Sequence, residues 1–203
     1  MYVEGGSDSN PGRRALSEGL HQFLEAGLRA AGLPSVSLNV RARGRRDAAY
    51  SGFLGCLSDT PDVFAMLLVD AERPVRPGVS ARQHLQEDPD NWDCSLADDK
   101  QLHLMVQTME AWLVADPEAL ALFYGPAFNA KALSGRPNVE EIPKPDLETS
   151  LERAIGPTGK GPYRKLDHGS ALLGRIDPDK VRKRAGHCEL LFATLTEVLT
   201  TDP

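Results

Sequence analysis

The run Val63-Phe64-Ala65-Met66-Leu67-Leu68-Val69 is apolar throughout and ends on Asp70. A strand wet on one side alternates apolar with polar residues. An unbroken run suits a central strand covered on both faces, the usual state of a parallel sheet. Parallel neighbours need crossover connections, most often helices. The flanking segments offer them. Leu16, Leu20, Phe23, Leu24 and Leu28 recur at helical spacing and predict a helix over 11–31, with Asn10 as N-cap and Pro11 in its first turn. Gly32 and Pro34 stop it. Val36, Leu38 and Val40 alternate with polar residues and predict a strand. Tyr50, Phe53, Leu54 and Leu57 return to helical spacing. Residues 1–4 predict a very short first strand, broken by Gly5 and Gly6.

Beyond Asp70, residues 73–100 are rich in Pro, Asp and Arg and predict a long insertion with one short helix near 80–86. Leu102, Leu104 and Val106 predict a further strand. Met109, Trp112 and Leu113 open a helix directly after it, with Trp112 on the apolar face, as in a core. Asp116-Pro117 caps another helix carrying Leu120 and Phe123. Residues 125–145 are loop-like. Leu147, Leu151 and Ile155 define a later helix. Asp177-Pro178 caps a last one bearing Cys188, Leu191, Phe192, Leu195, Val198 and Leu199. The order of strands and helices predicts an α/β fold: a Rossmann-like, mainly parallel sheet flanked by helices, with a C-terminal helical extension. The chain of 203 residues suffices for one compact unit, divided as 1–125 and a helical extension 126–203 packed on it.

No apolar run has the length of a membrane helix. The first residues lack a basic-then-apolar leader pattern. Cys56, Cys94 and Cys188 are scattered, with no CxxC pair, and read as reduced thiols. A cytoplasmic protein with no membrane partner is expected. Net charge is −6, which disfavours tight nucleic-acid binding by the chain alone. The charge is nonetheless clustered. Arg41, Arg43, Arg45 and Arg46 form one basic run; Lys160, Arg164 and Lys165 a second; Lys180, Arg182, Lys183 and Arg184 a third. Each reads as solvated surface or as a phosphate contact.

Carboxylates close or follow three predicted strands: Glu4 the first, Asp70 with Glu72 the third, Glu110 the fourth. Ligands of open α/β sheets bind outside the carboxyl ends of the strands, so these groups converge there. Crowded carboxylates repel unless a cation or proton intervenes. Oxygen-only donors favour Mg²⁺ or Mn²⁺, metals able to assist phosphodiester cleavage. Lys144, Lys160, Lys165 and His168 either hold substrate phosphates near such a metal or belong to a solvated loop. His103 either reaches the site or is structural, and His21 and His187 read as structural or exposed. Gly156–Gly161 lacks the full P-loop pattern and a preceding strand.

The motifs Glu4-Gly5-Gly6-Ser7-Asp8 and Asp70-Ala71-Glu72 resemble the hallmark of the Toprim superfamily, a Glu in an E-G-x-x-D setting followed by Asp-x-Asp after a later strand. The second motif departs from it by ending in Glu. Met109-Glu110-Ala111-Trp112 resembles a further acidic motif of Toprim-like proteins encoded beside ABC- or AAA-type ATPases in phage-defence loci. This similarity runs from Val3 through Met109–Asp116, Asn138–Pro145 and Lys160–His168 to Phe192. It implies a Toprim-like fold and a Mg²⁺- or Mn²⁺-dependent endonuclease acting on DNA or RNA. Glu4 would be metal ligand or general acid/base, and Asp8, Asp70 and Glu72 metal ligands, with Glu110 joining them. Glu4, Asp70, Lys160, Lys165 and His168 would form the catalytic set. The implied partners are nucleic acid and an ATPase subunit, and a homo-oligomer is compatible with the amphipathic last helix. A non-catalytic Toprim-like module that regulates an ATPase or binds nucleic acid is the alternative.

Overall fold

A computed structural model describes residues 1–33, 38–87, 89–156 and 158–201. Four parallel strands form one sheet: β1 (Tyr2–Val3), β2 (Arg41–Ala42), β3 (Leu67–Asp70) and β4 (Leu102–Met105), in the order β2-β1-β3-β4. β1 therefore lies inside the sheet, with β2 on one side and β3 on the other. The chain leaves β1 in one direction through α1 (Asn10–Ala30), then recrosses through α2 (Arg46–Asp59) to β3. That reversal creates a crevice between the carboxyl ends of β1 and β3.

Helices cover both faces. Val3, Leu68 and Met105 point toward α1 and the C-terminal helices. Tyr2, Leu67, Val69 and Leu104 point toward Phe53 of α2 and Leu85 of α3 (Ala81–Gln86). Adjacent β3 residues thus enter different cores, so the strand is apolar without alternation. The larger core centres on Phe23, whose ring lies 5.4 Å from Trp112 and 5.7 Å from Phe192. Truncating Phe23 to Ala would cost about 3–5 kcal/mol. Trp112 sits on α4 (Met109–Val114), which is followed by α5 (Pro117–Tyr124), α6 (Lys144–Ile155) and α7 (Ser170–Leu173). The extension ends in α8 (Pro178–Arg184) and α9 (Gly186–Thr201), and its Leu147, Leu172, Leu191 and Phe192 share this core with α1. None of the described helices is long and apolar enough to cross a membrane.

Several boundaries differ from the sequence expectation. Ser9, not Asn10, caps α1, accepting from the Gly12 N–H at 3.2 Å. The second strand is Arg41–Ala42, later than the 36–40 pattern suggests; Val36 lies outside the described residues. β1 sets the register, because Arg41 and Arg43 N–H groups bond the Met1 and Val3 carbonyls. Leu38 and Val40 only lean on the core. The apolar run is not buried throughout: Val63 and Phe64 are exposed, and hydrogen bonding to β1 begins at the Met66 carbonyl, which accepts the Tyr2 N–H at 2.7 Å. The expected last helix is two helices broken at Ala185. Ala185 is extended there, and the Arg184 guanidinium beside it donates to the carbonyls of Val114, Ala115 and Arg136.

Candidate functional site

The crevice between β1 and β3 gathers three carboxylates. Glu4 follows β1 directly, and its N–H donates to the Leu68 carbonyl at 3.2 Å. Asp70 is the last residue of β3. Glu72 lies two residues on, with its N–H on the Gln107 carbonyl at 2.8 Å. Its φ of 62° lies in the left-handed region, which disfavours a side chain like Glu, so the surroundings impose the conformation. One oxygen from each of Glu4, Asp70 and Glu72 lies within 4.8 Å of the others. After Glu4 the chain turns sharply through Gly5 and Gly6 to reach α1. Gly6 is required there, because a Cβ would sit 2.7 Å from the Arg13 Cα. The resulting cavity of ≈ 210 Å³ is lined by Glu4, Asp70, Gly44, Met105, Met109 and Lys165.

Each carboxylate meets a cation. Arg46 donates to Glu4 Oε2 at 3.0 Å and grips Asp90 with two bonds of 2.8 Å. Lys165 Nζ lies 2.9 Å from Asp70 Oδ2 and 3.4 Å from Glu110 Oε2. Lys144 Nζ lies 2.5 Å from Glu72 Oε2. Asp70 Oδ1 also accepts the Met109 N–H at 2.8 Å. Thr108 Oγ1 stands between Asp70 Oδ2 (3.2 Å) and Glu110 Oε2 (2.5 Å), and its single proton favours the shorter bond. Tyr163 donates its phenolic proton to Glu110 Oε1 at 3.0 Å.

Charge balance follows from this geometry. Burial, then the Asp70 charge, raises the Glu4 carboxyl to about 6, with Arg46 pulling the other way. Burial also raises Asp70; Lys165 opposes the rise and Glu110 adds to it. Glu110 is buried too, but Lys165 and the bonds from Thr108 and Tyr163 hold it below the usual range. Lys165 stays protonated: burial opposes its charge, but Asp70 and Glu110 outweigh that and raise it. Glu4 and Asp70 thus share a shortage of positive charge that Glu110 does not.

Six of the residues singled out by sequence meet here: Glu4, Asp70 and Glu72 as the trio, Lys165 and Lys144 at its edge, and Glu110 behind Asp70 through Thr108. Three others are not brought to the trio. Asp8 is exposed, with its carboxylate beside Gly44, where a Cβ would lie 2.8 Å from Oδ1. Lys160 places its ammonium 4.5 Å from the centre of the Phe123 ring. His168 is buried and shares a 3.1 Å hydrogen bond with the Tyr124 hydroxyl through Nδ1. A π turn over Lys165–Gly169 separates the last two fates, sending Lys165 out to Asp70 and His168 in among aromatic rings. His103 also stays away from the trio, with Nε2 on the Lys100 carbonyl at 3.0 Å. Arg46, Thr108 and Tyr163 were not singled out. Arg46 looks like the rest of its basic run, whereas Thr108 stands directly before the Met109-Glu110 motif, at the N-cap position of α4 where Thr is favoured, and turns its hydroxyl to the carboxylates instead of capping.

The family model described as Domain of unknown function (DUF4276) matches residues 3–196, from the residue before Glu4 into α9. No curated protein and no solved structure matches the chain.

Proposed function

We propose that this chain, which belongs to the DUF4276 family, hydrolyses phosphodiester bonds of DNA or RNA with Mg²⁺ or Mn²⁺ held by Glu4, Asp70 and Glu72. The observation that carries this reading is the meeting of three carboxylate oxygens within 4.8 Å at the β1–β3 crevice. The donor set suits a hard cation. The raised Glu4 and Asp70 carboxyls support the same point, because burial and neighbouring carboxylates disfavour their charged forms and a cation would offset both. Bound there, such an ion would polarise a phosphoryl oxygen and lower the pKa of water. The chain's own groups have separate roles. Lys165 lines the cavity and is placed to stabilise charge building on a phosphate. Arg46 holds Glu4 by Oε2, leaving Oε1 without a hydrogen bond among the described residues and free to take a proton or a metal. The resemblance to Toprim nucleases supports the substrate class. It is also the sole support for an ABC- or AAA-type ATPase partner in phage defence.

One observation favours a second reading, a non-catalytic module that binds nucleic acid or regulates an ATPase. Arg46, Lys165 and Lys144 already pair with the three carboxylates, so each has a cationic partner without a metal, although Arg46 is shared with Asp90 and Lys165 with Glu110. Cleavage of plasmid DNA and of RNA with Mg²⁺ or Mn²⁺ separates the two. Under the hydrolase reading, cleavage disappears in Glu4→Gln and in Asp70→Asn, and Mn²⁺ raises the wild-type melting temperature. Undiminished cleavage in both variants would place the chemistry elsewhere. No cleavage and no Mn²⁺ effect on melting would leave the binding module.

A further inference from the structure

The fold divides the basic run Arg41–Arg46 into an inner and an outer part. Arg46 turns inward to Glu4 and Asp90, and Arg45 pairs with its neighbour Asp47 at 3.1 Å. Arg41 and Arg43 stay outside. Two residues apart on the edge of the sheet, they share a face and lay their guanidinium groups over the Tyr2 ring, 5.8 and 5.1 Å from its centre. Among the described residues neither meets a carboxylate. Arg41 makes, among the described residues, only weak bonds of 3.3 Å to the Tyr2 hydroxyl and Asn39 Oδ1, and Arg43 makes no side-chain hydrogen bond among them.

Across the same edge, α1 adds two more arginines. Ser17 Oγ of α1 accepts the Ala42 N–H at 2.9 Å, fixing which helical face borders β2. Arg13 and Arg14 lie one turn earlier on that face. Arg14 is exposed and has no partner among the described residues, and Arg13 reaches only the Asn10 side chain at 2.5 Å. Several other arginines are matched with carboxylates, Arg76 with Glu87, Arg82 with Asp99 and Arg182 with Glu189, whereas Arg136, Arg175 and Arg184 direct their guanidinium groups to backbone carbonyls. In a chain of net charge −6, Arg41 and Arg43 on the α2 face of this edge and Arg13 and Arg14 on the α1 face bring four positive charges to the two sides of β2, none paired with a carboxylate among the described residues.

This edge adjoins the site. Gly44, a wall of the acidic cavity, directly follows Arg43, and Gly5 and Gly44 exchange two backbone hydrogen bonds of 2.7 and 2.8 Å. Stacking on Tyr2 restrains the two guanidinium groups while leaving N–H edges for bidentate contact with phosphate oxygens.

We infer that Arg14, Arg41 and Arg43 form a phosphate-backbone track that leads a nucleic-acid strand along the β2 edge to the acidic cavity. The inference rests on the phosphodiesterase reading for its substrate class. Its test is kept separate from catalysis: fluorescence anisotropy of the full chain with labelled single strands of DNA and of RNA, in EDTA, across a salt series. The triple variant Arg14→Gln/Arg41→Gln/Arg43→Gln is expected to bind about tenfold or more weakly, and its salt slope to fall by about 2. The corresponding triple Lys variant keeps most of the slope, since it keeps the charge. Arg14→Glu, at an exposed helix position, leaves the Tyr2 stack intact and also weakens binding. Tighter binding of either polymer identifies it as the one the track carries. Unchanged affinity in the Gln triple and in Arg14→Glu overturns the track, as does absence of strand binding by wild type. A parallel Mn²⁺ titration keeps the two ideas distinct. Wild type that binds strands through these arginines but takes up no Mn²⁺ would sink the hydrolase reading and leave the track standing.

Discussion

Lys165 Nζ lies 2.9 Å from Asp70 Oδ2, although the two residues are 95 positions apart in the chain. The lysine comes from the C-terminal extension and the aspartate from the central strand, so the extension supplies the cation that Asp70 shares with Glu110. Asp70 is 3% exposed. Any metal that takes its Oδ2 must compete with this ammonium.

Lys165→Ala removes the competitor. Without metal the variant should lose about 1–3 kcal/mol, because the buried Asp70 loses its cation and keeps the Met109 N–H as its donor, the Thr108 proton going to Glu110. Mn²⁺ should bind more tightly and restore that stability. Turnover on nucleic acid should nonetheless fall about 10²–10³-fold, the usual cost of losing one group that stabilises developing charge. Calorimetric Mn²⁺ titration with thermal melts checks the first part. Weaker Mn²⁺ binding would show that Lys165 positions Asp70 rather than competing for it.

Glu4 sets a pH dependence of its own. Its folded carboxyl titrates near 6, above its ordinary 4.5. Between these values the folded state holds more protons than the unfolded state, so stability falls as pH rises through the window, by about 2 kcal/mol in all. Glu4→Gln removes that dependence. The metal-free variant should melt at least as high as wild type at pH 8, with the advantage gone near pH 4.5. Mn²⁺ affinity of the wild type should drop as pH falls below about 6, when Glu4 takes its proton. A wild-type Mn²⁺ affinity flat from pH 5 to pH 8 would exclude Glu4 as a ligand.

His103 pulls in the opposite direction. It is buried on β4, and burial depresses its imidazole from 6.5 to about 4, the Lys100 carbonyl acting against the shift and His187 with it. The unfolded chain therefore binds the proton first. This contribution, about 3 kcal/mol at most, is present above pH 6.5 and lost as pH falls toward 4. Melting profiles of His103→Gln between pH 4 and pH 8 should be flatter on the acid side than those of wild type. In wild type the Glu4 and His103 slopes oppose each other, so the pairwise comparison with each variant is what reveals them.

Much of the scaffold is visible in the sequence because burial leaves a pattern. β3 is apolar on successive residues since Leu67 and Leu68 enter different cores, and α1 repeats Leu16, Leu20, Phe23, Leu24 and Leu28 on its buried side. Glu4, Asp70 and Glu72 are legible for a related reason: a charge directly after an apolar strand has few structural roles. What escapes notice depends on tertiary partners. β2 is a polar edge whose register comes from β1, so its residues carry no apolar signature. Arg46 looks like its exposed neighbours, yet Glu4 and Asp90 draw it inward. Lys165 and His168 stand close together in sequence, and only the π turn decides which one faces Asp70. The left-handed backbone of Glu72 has no sequence mark at all.

That backbone has an identifiable support in His84, a fully buried residue that no motif includes. Arg73 Nη1 lies 2.8 Å from His84 Nδ1, and His84 Nε2 lies 2.9 Å from the Ala71 carbonyl. A guanidinium can only donate, so Nδ1 accepts and Nε2–H donates to Ala71. Burial and the Arg73 charge keep the ring neutral by lowering its pKa. His84 thus clamps the peptide between Asp70 and Glu72. His84→Ala should cost about 2–4 kcal/mol, from the cavity and from the unpartnered Arg73 and Ala71 groups. If the clamp also aims the carboxylates, Mn²⁺ affinity should fall about 10–100-fold, as when an outer partner of a metal ligand is removed. His84→Gln, whose amide offers both a donor and an acceptor, should recover part of both losses. An Ala variant that loses stability but binds Mn²⁺ like wild type would confine His84 to the core and leave the Glu72 conformation to the Gln107 carbonyl and Lys144 alone.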